Sequence, residues 1–188
     1  MSDLSPATER LVAALREHAL VIGSVTLSSG AEAEYYIDAK RATLLPGGFA
    51  AMGELVAAKA AETRATAVGG MTMGADPVAC AALAAGADVK AFFVRKDVKA
   101  HGLQRGIEGP LLDPGSDRCL IVEDVVTTGS ATLAAIDRVK EAGLQIVGVV
   151  SVLDRLAGGA EAIEQAAGAP YTPLATIDDV YPDRPDRF

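Results

Sequence analysis

Within this 188-residue chain, two adjacent carboxylates run directly into a string of small, mostly hydroxyl-bearing residues: Glu123, Asp124, Val125, Val126, Thr127, Thr128, Gly129, Ser130 and Ala131. The apolar, partly β-branched run Leu120, Ile121, Val122 precedes them and reads as a strand buried on both faces, the carboxylates standing where it ends. Leu133, Ile136 and Val139 follow at helical spacing. The order is therefore strand, loop, helix. A loop entering a helix presents unpaired N–H groups and the positive end of the helix dipole, so small side chains there suit a phosphate. The carboxylates would repel that phosphate; acids at a strand end suit sugar hydroxyls or a magnesium shell. Phosphate and diol recognition side by side point to a ribose 5-phosphate group. No Gly-Lys-Ser/Thr occurs anywhere, and the stretch has no Gly-x-Gly-x-x-Gly, so neither standard nucleotide loop applies.

Three further groups could act with this stretch. Arg95, Lys96, Lys99 and Arg105 put four permanent cations against one acid, Asp97, within eleven residues of an otherwise acidic chain, and His101 lies among them. Gly102, Gly106, Gly109, Pro110, Pro114 and Gly115 keep the segment from about 95 to 117 irregular, which is the character of a mobile lid. Arg155 follows an apolar strand at Asp154, where a guanidinium can grip a carboxylate in a two-pronged way or pair with Asp154 itself. The loop Gly70–Pro77 carries no cation, so an anion there would rely on backbone amides, with Asp76 beside it.

These groups need a frame. Ser5-Pro6 caps a first helix whose Leu11, Val12, Leu15 and Ala19 share a face. Two short strands, Val21 to Leu27 and Glu34 to Asp38, follow around Ser28-Ser29-Gly30. From Pro46 onward helices and strands alternate: helix 46–63, strand 66–68 ending in Gly69-Gly70, helix 78–85, strand 89–94, the central strand, its helix, strand 145–153, helix 161–167 and strand 171–177. This alternation predicts an α/β fold, a mostly parallel sheet with helices on both faces, in a single domain spanning 1–188. The tail from Asp178 to Phe188 reads as a surface segment.

Half of the residues are apolar but only 4% aromatic, so Ala, Val, Leu and Ile must build the core. A net charge of −8 argues against nucleic acid or an anionic membrane as a general partner. Cys80 and Cys119 sit in apolar surroundings and read as buried thiols of a reducing compartment. Neither a signal peptide nor a bilayer-spanning run is apparent, which predicts a cytoplasmic protein.

Glu123-Asp124-Val125-Val126-Thr127-Thr128-Gly129-Ser130 resembles the 5-phosphoribosyl 1-diphosphate (PRPP) motif of type I phosphoribosyltransferases. Arg95-Lys96-Asp97-Val98-Lys99-Ala100-His101-Gly102 resembles the lid loop of orotate phosphoribosyltransferases, and Leu153-Asp154-Arg155 their orotate-binding arginine. Thr26-Leu27-Ser28-Ser29-Gly30 and Tyr35-Tyr36-Ile37-Asp38 are similar to the N-terminal hood of that family, about 20–45 here. Many members carry lysine where Ser28 stands, and some carry one where Met73 stands. The resemblance implies a type I phosphoribosyltransferase fold that joins orotate to PRPP, giving orotidine 5′-monophosphate and pyrophosphate in pyrimidine biosynthesis. It implies PRPP contacts at Arg95, Lys96, Lys99, His101, Glu123, Asp124 and Val125 through Ala131, and orotate contacts at Thr127 and Arg155. Lys99 and Asp124 would have the catalytic weight. It implies Mg2+ held mainly by PRPP and water rather than by protein ligands, and a homodimer with the lid shared across subunits. Other readings of the same motifs are a phosphoribosyltransferase for another base and a regulatory protein that senses PRPP.

Overall fold

The structure is a computed structural model describing residues 4–26, 32–96 and 106–187. Helix α1 (Pro6–Ala14) starts at Ser5, whose side chain accepts from the Thr8 N–H, and continues as a π-helical turn, Leu15–Ala19. Strands β1 (Leu20–Thr26) and β2 (Glu32–Ile37) pair antiparallel as a separate two-stranded sheet, the expected hood. A short helix α2 (Lys40–Thr43) leads to α3 (Pro46–Thr63). Then follow β3 (Ala67–Met71), α4 (Ala75–Ala84), β4 (Lys90–Val94), β5 (Ile107–Glu108), β6 (Arg118–Val126), α5 (Ser130–Glu141), β7 (Gln145–Asp154), α6 (Gly159–Ala167), β8 (Tyr171–Thr176) and α7 (Ile177–Val180).

The main sheet runs β5-β4-β3-β6-β7-β8, parallel throughout except for the β4–β5 edge pair. The chain first steps from β3 to β4, then returns to lay β6 on the other side of β3. Strand order therefore reverses between β3 and β6, and ligands of open α/β sheets bind at the carboxyl ends of such a pair. Alternating side chains feed two cores. Val68, Leu120, Val122, Val150 and Val152 pack with α1, α3 and α4 on one face; Ala67, Phe92, Ile121, Ile136, Val139 and Ile163 pack with α5 and α6 on the other. Central strands apolar on both faces are what this layering demands.

Several expectations shift. Gly69 and Gly70 lie inside β3, paired with Phe92 and Phe93, not beyond it, and they are bare because a Cβ on Gly69 would fall 2.1 Å from the Phe92 carbonyl and one on Gly70 2.0 Å from that of Val122. β6 runs four residues past Val122, through both acids to Val126, since parallel pairing with β7 (Glu123 opposite Ser151, Val126 opposite Asp154) carries the ladder on after the apolar run stops. The segment after β4 is not wholly irregular, for Ile107–Glu108 pairs with β4. Its return is anchored at Asp117, a buried carboxylate that accepts from Lys90, Thr66 and the Asp113 N–H. Cys119 is buried as expected, but Cys80 is exposed, on the outer side of α4. The tail lies largely at the surface, as expected, but is tied down: α7 carries a capping box, and Asp186 accepts from the Tyr35 hydroxyl of the hood.

Candidate active site

The β3–β6 ladder ends at Gly69 opposite Ile121. Neighbouring residues on a regular strand point to opposite faces, yet the Glu123 and Asp124 carboxyls both reach one place, the turn after β3. A Cβ on Gly74 would lie 2.4 Å from Asp124 Oδ1 and 2.9 Å from Glu123 Oε1. Only the bare glycine lets the loop close over the pair. Both acids are buried. Glu123 accepts from the Thr132 hydroxyl (3.4 Å) and the Asp124 N–H (3.2 Å); Asp124 Oδ1 accepts from the Val125 N–H at 2.8 Å. Burial, reinforced by the neighbouring Asp124 charge, pushes the Glu123 carboxyl up to about 8. The acid pair thus holds a proton more readily than two solvated carboxylates would, until cations or donors arrive.

The counter-charge present is Lys40, at the start of α2. Its ammonium lies 3.1 Å from Asp124 Oδ2 and 3.3 Å from Asp38 Oδ1. Partial burial opposes its charge, but the bonds to Asp124 and Asp38 prevail and raise its pKa.

Beyond the acids, Thr127, Thr128, Ser130 and Ala131 are exposed and Gly129, at φ 81°, begins α5. A helix N-terminus with small exposed residues is open to an anion. α6 supports this turn from below: a Cβ on Gly159 would sit 3.0 Å from the Thr127 carbonyl and the Gly129 nitrogen. Arg155 arrives beside Thr127 because its N–H donates to the Val126 carbonyl at 2.9 Å. Its guanidinium does not pair with Asp154. Asp154 instead accepts from the Leu156 N–H at 2.7 Å, while the Arg155 guanidinium carbon stands 5.2 Å from the Tyr35 ring centroid. Tyr35 is held edge-on by Tyr181, ring centroids 5.4 Å apart, and donates its hydroxyl to Asp186 at 3.0 Å.

Across the described residues, two buried side-chain polar atoms have no hydrogen-bond partner: Arg155 Nε and Asp76 Oδ1. The other Asp76 oxygen accepts from the Thr72 hydroxyl at 2.6 Å. Asp76 lies in the first turn of α4, two residues past Gly74, and Arg155 just past the end of β7, and a bound group would satisfy such atoms.

Of the residues singled out from sequence, the structure brings together Glu123, Asp124, Val125, Val126, the Thr127–Ala131 loop and Arg155. Arg95 stands at the end of neighbouring β4, where its N–H donates to the Gly106 carbonyl at 2.9 Å and its side chain lies 3.5 Å from Glu108. The chain that leaves after exposed Lys96 therefore re-enters beside its own exit. Lys99 and His101 lie outside the described residues, as does the hood turn at Ser28. Sequence reasoning put Tyr35 in the hood and Gly74 in the Gly70–Pro77 loop without seeing what either touches, and gave Lys40 no role. A basic residue just after the hood strand and a tyrosine pair were visible; their partners, far along the chain, were not.

Comparison with known proteins gives the family and the fold. The phosphoribosyl transferase domain family matches residues 50–167. An orotate phosphoribosyltransferase of Corynebacterium glutamicum (strain R) is 46% identical over 175 residues, 93% of this chain and 94% of its own. The crystal structure of Mycobacterium tuberculosis H37Rv orotate phosphoribosyltransferase in complex with Fe(III) dicitrate superposes with a TM-score of 0.84 at 44% identity, covering 94% of this chain and 99% of that one. The same enzyme in complex with PRPP gives 0.79 at 39% identity, covering 93% and 99%. With a family domain over more than half its length and near-complete relatives at this identity, the chain belongs to the orotate phosphoribosyltransferases, on the type I phosphoribosyltransferase fold.

Proposed function

We propose that the chain transfers the 5-phosphoribosyl group of PRPP to orotate at the β3–β6 crevice, releasing pyrophosphate and forming orotidine 5′-monophosphate. The observation that carries the siting is the convergence of the buried pair Glu123 and Asp124 with the open helix N-terminus at Thr127–Ala131. In this reading the 5-phosphate sits on the amides and hydroxyls of Thr127–Ala131. Asp124 and Glu123 accept from the ribose hydroxyls and favour the positive charge that grows on the ribose as its bond to pyrophosphate stretches. No protein nucleophile is needed, because an orotate ring nitrogen attacks the anomeric carbon directly. Arg155, with its unpartnered Nε, meets the orotate carboxylate beside Thr127. Arg95, Lys96, Lys99 and His101 neutralise the departing pyrophosphate, and their closing over it keeps water from competing as acceptor.

Among the described residues no group of three or more His, Cys, Asp or Glu side chains is placed to hold a metal ion. Asp124 and Glu123 are hard oxygen donors that fit a magnesium ion whose remaining ligands are substrate oxygens and water. Bound there, magnesium would neutralise charge on the diphosphate. The family resemblance supports a homodimer in which each lid serves the neighbouring subunit. No described helix is long and apolar enough to cross a membrane, and we place the enzyme in the cytoplasm.

The test is direct. Orotate absorbance should fall only when PRPP and Mg2+ are both present, with hypoxanthine, adenine and uracil inert in parallel. Consumption of one of those bases in place of orotate would overturn the assignment.

A further inference from the structure

We infer that Lys40 binds the diphosphate of the sugar donor, supplying from the hood a cation that the β3–α4 loop lacks. The inference rests on the donor site proposed above. A donor whose 5-phosphate lies on Thr127–Ala131 and whose ribose hydroxyls lie on Glu123 and Asp124 has its orientation set. The diphosphate leaves from C1, beside the 2-hydroxyl and at the opposite end of the sugar from the 5-phosphate. It therefore projects past the acid pair, away from Thr127–Ala131. On that side Gly74 abuts both carboxylates, and Lys40 reaches Asp124 at 3.1 Å.

The charges on that side favour a cation. Glu123 and Asp124 abut Gly74 there, Asp38 shares Lys40 with Asp124, and the loop from Gly70 to Pro77 contributes no Lys or Arg. A diphosphate entering here passes the Glu123 and Asp124 carboxyls before it meets the cations proposed for the lid, so a nearby ammonium would offset that repulsion. Lys40 is positioned to answer this. Its side chain is 43% exposed, so the ammonium is not locked in the interior. It is shared between Asp124 and Asp38 rather than committed to one of them. A lysine head on a four-carbon stem can pivot by the few ångströms needed. Before substrate binds, Lys40 neutralises Asp124. As the ribose hydroxyls take up Asp124, the ammonium turns to the diphosphate and stays there as that group departs.

Kinetics of full-length Lys40→Met and Lys40→Arg, read beside wild type, test this. Lys40→Met should raise the KM for PRPP about tenfold or more, the loss of one charge-assisted hydrogen bond, with the KM for orotate moving less than about threefold. Inhibition by inorganic pyrophosphate should weaken in parallel, and Lys40→Arg should restore most of both. A purely structural counter-ion would instead lower Tm and leave the PRPP KM and pyrophosphate inhibition within about twofold of wild type; that result overturns the inference. Calorimetric titration of pyrophosphate alone into wild type and Lys40→Met separates the two readings. Tighter binding to wild type supports Lys40 even in an assay where orotate proves not to be the acceptor, whereas equal binding removes Lys40 and leaves the orotate reaction standing.

Discussion

The Arg155 guanidinium carbon lies 5.2 Å from the centre of the Tyr35 ring, and that ring is tied through its hydroxyl to Asp186 near the chain's end. The arginine proposed to hold the base is thus braced by a residue of the hood, itself fastened by the tail. A planar cation stacked on an aromatic face keeps its edge free for a carboxylate. Tyr35→Leu should therefore raise the orotate KM by roughly tenfold, the weight of about 1 kcal/mol or slightly more of lost stacking, with the PRPP KM little changed. Tyr35→Phe keeps the ring and should retain the orotate KM while losing about 1 kcal/mol of stability with the Asp186 bond. Steady-state kinetics and thermal melts on both variants check the pair.

Arg155→Lys should show how far planarity matters. A lysine keeps the charge but not the two-pronged grip, so the orotate KM should rise roughly 10- to 100-fold, about 1.4–2.7 kcal/mol. An unchanged orotate KM would place the carboxylate elsewhere.

Gly74→Ala probes the closure of the β3–α4 loop on the acids. The φ of −61° suits alanine, which by itself would be neutral or stabilising by up to about 1 kcal/mol. Its Cβ, however, would come within 2.4 Å of Asp124 Oδ1, a carboxylate already held by Lys40 and the Val125 amide. Turnover should fall about tenfold to a hundredfold through misplacement of Asp124, while Tm changes little. A variant with normal turnover would show that Asp124 can move without consequence.

Glu123 should leave a mark on stability against pH. Its folded carboxyl is raised from 4.5 to about 8, so the folded state binds the proton more tightly than the unfolded state does. The stability it contributes is complete below about 4.5 and is lost as pH rises through about 8. The Tm of wild type minus that of Glu123→Gln should therefore decline steadily between those limits, measured without substrate. A difference independent of pH would mean the carboxyl is not raised.

Lys99→Ala tests the cationic lid. Removal of one preorganised charge stabiliser of the leaving group should lower turnover about a hundredfold or more. Near-normal turnover would remove Lys99 from the reaction.

Sequence by itself determined the parts of this protein that are local. The phosphate loop is written in consecutive residues, because a buried strand, a short turn of small side chains and a helix start are adjacent along the chain. A density of positive charge over 95–105 was legible in an acidic sequence, though 97–105 lie outside the described residues, and Arg155 was legible as a cation just past a strand end. The layering of the sheet followed from strands apolar on both faces. Tertiary structure alone decided which distant residues share the site. Lys40 and Asp124 are 84 positions apart, and Tyr35 and Asp186 are 151 apart. No period or motif links such partners, since their meeting depends on how the hood and tail fold back over the sheet. The same holds for Gly74 over the two acids: that a glycine is required there follows from the separation of β3 and β6 beyond Ile121, a property of the folded sheet and not of either segment.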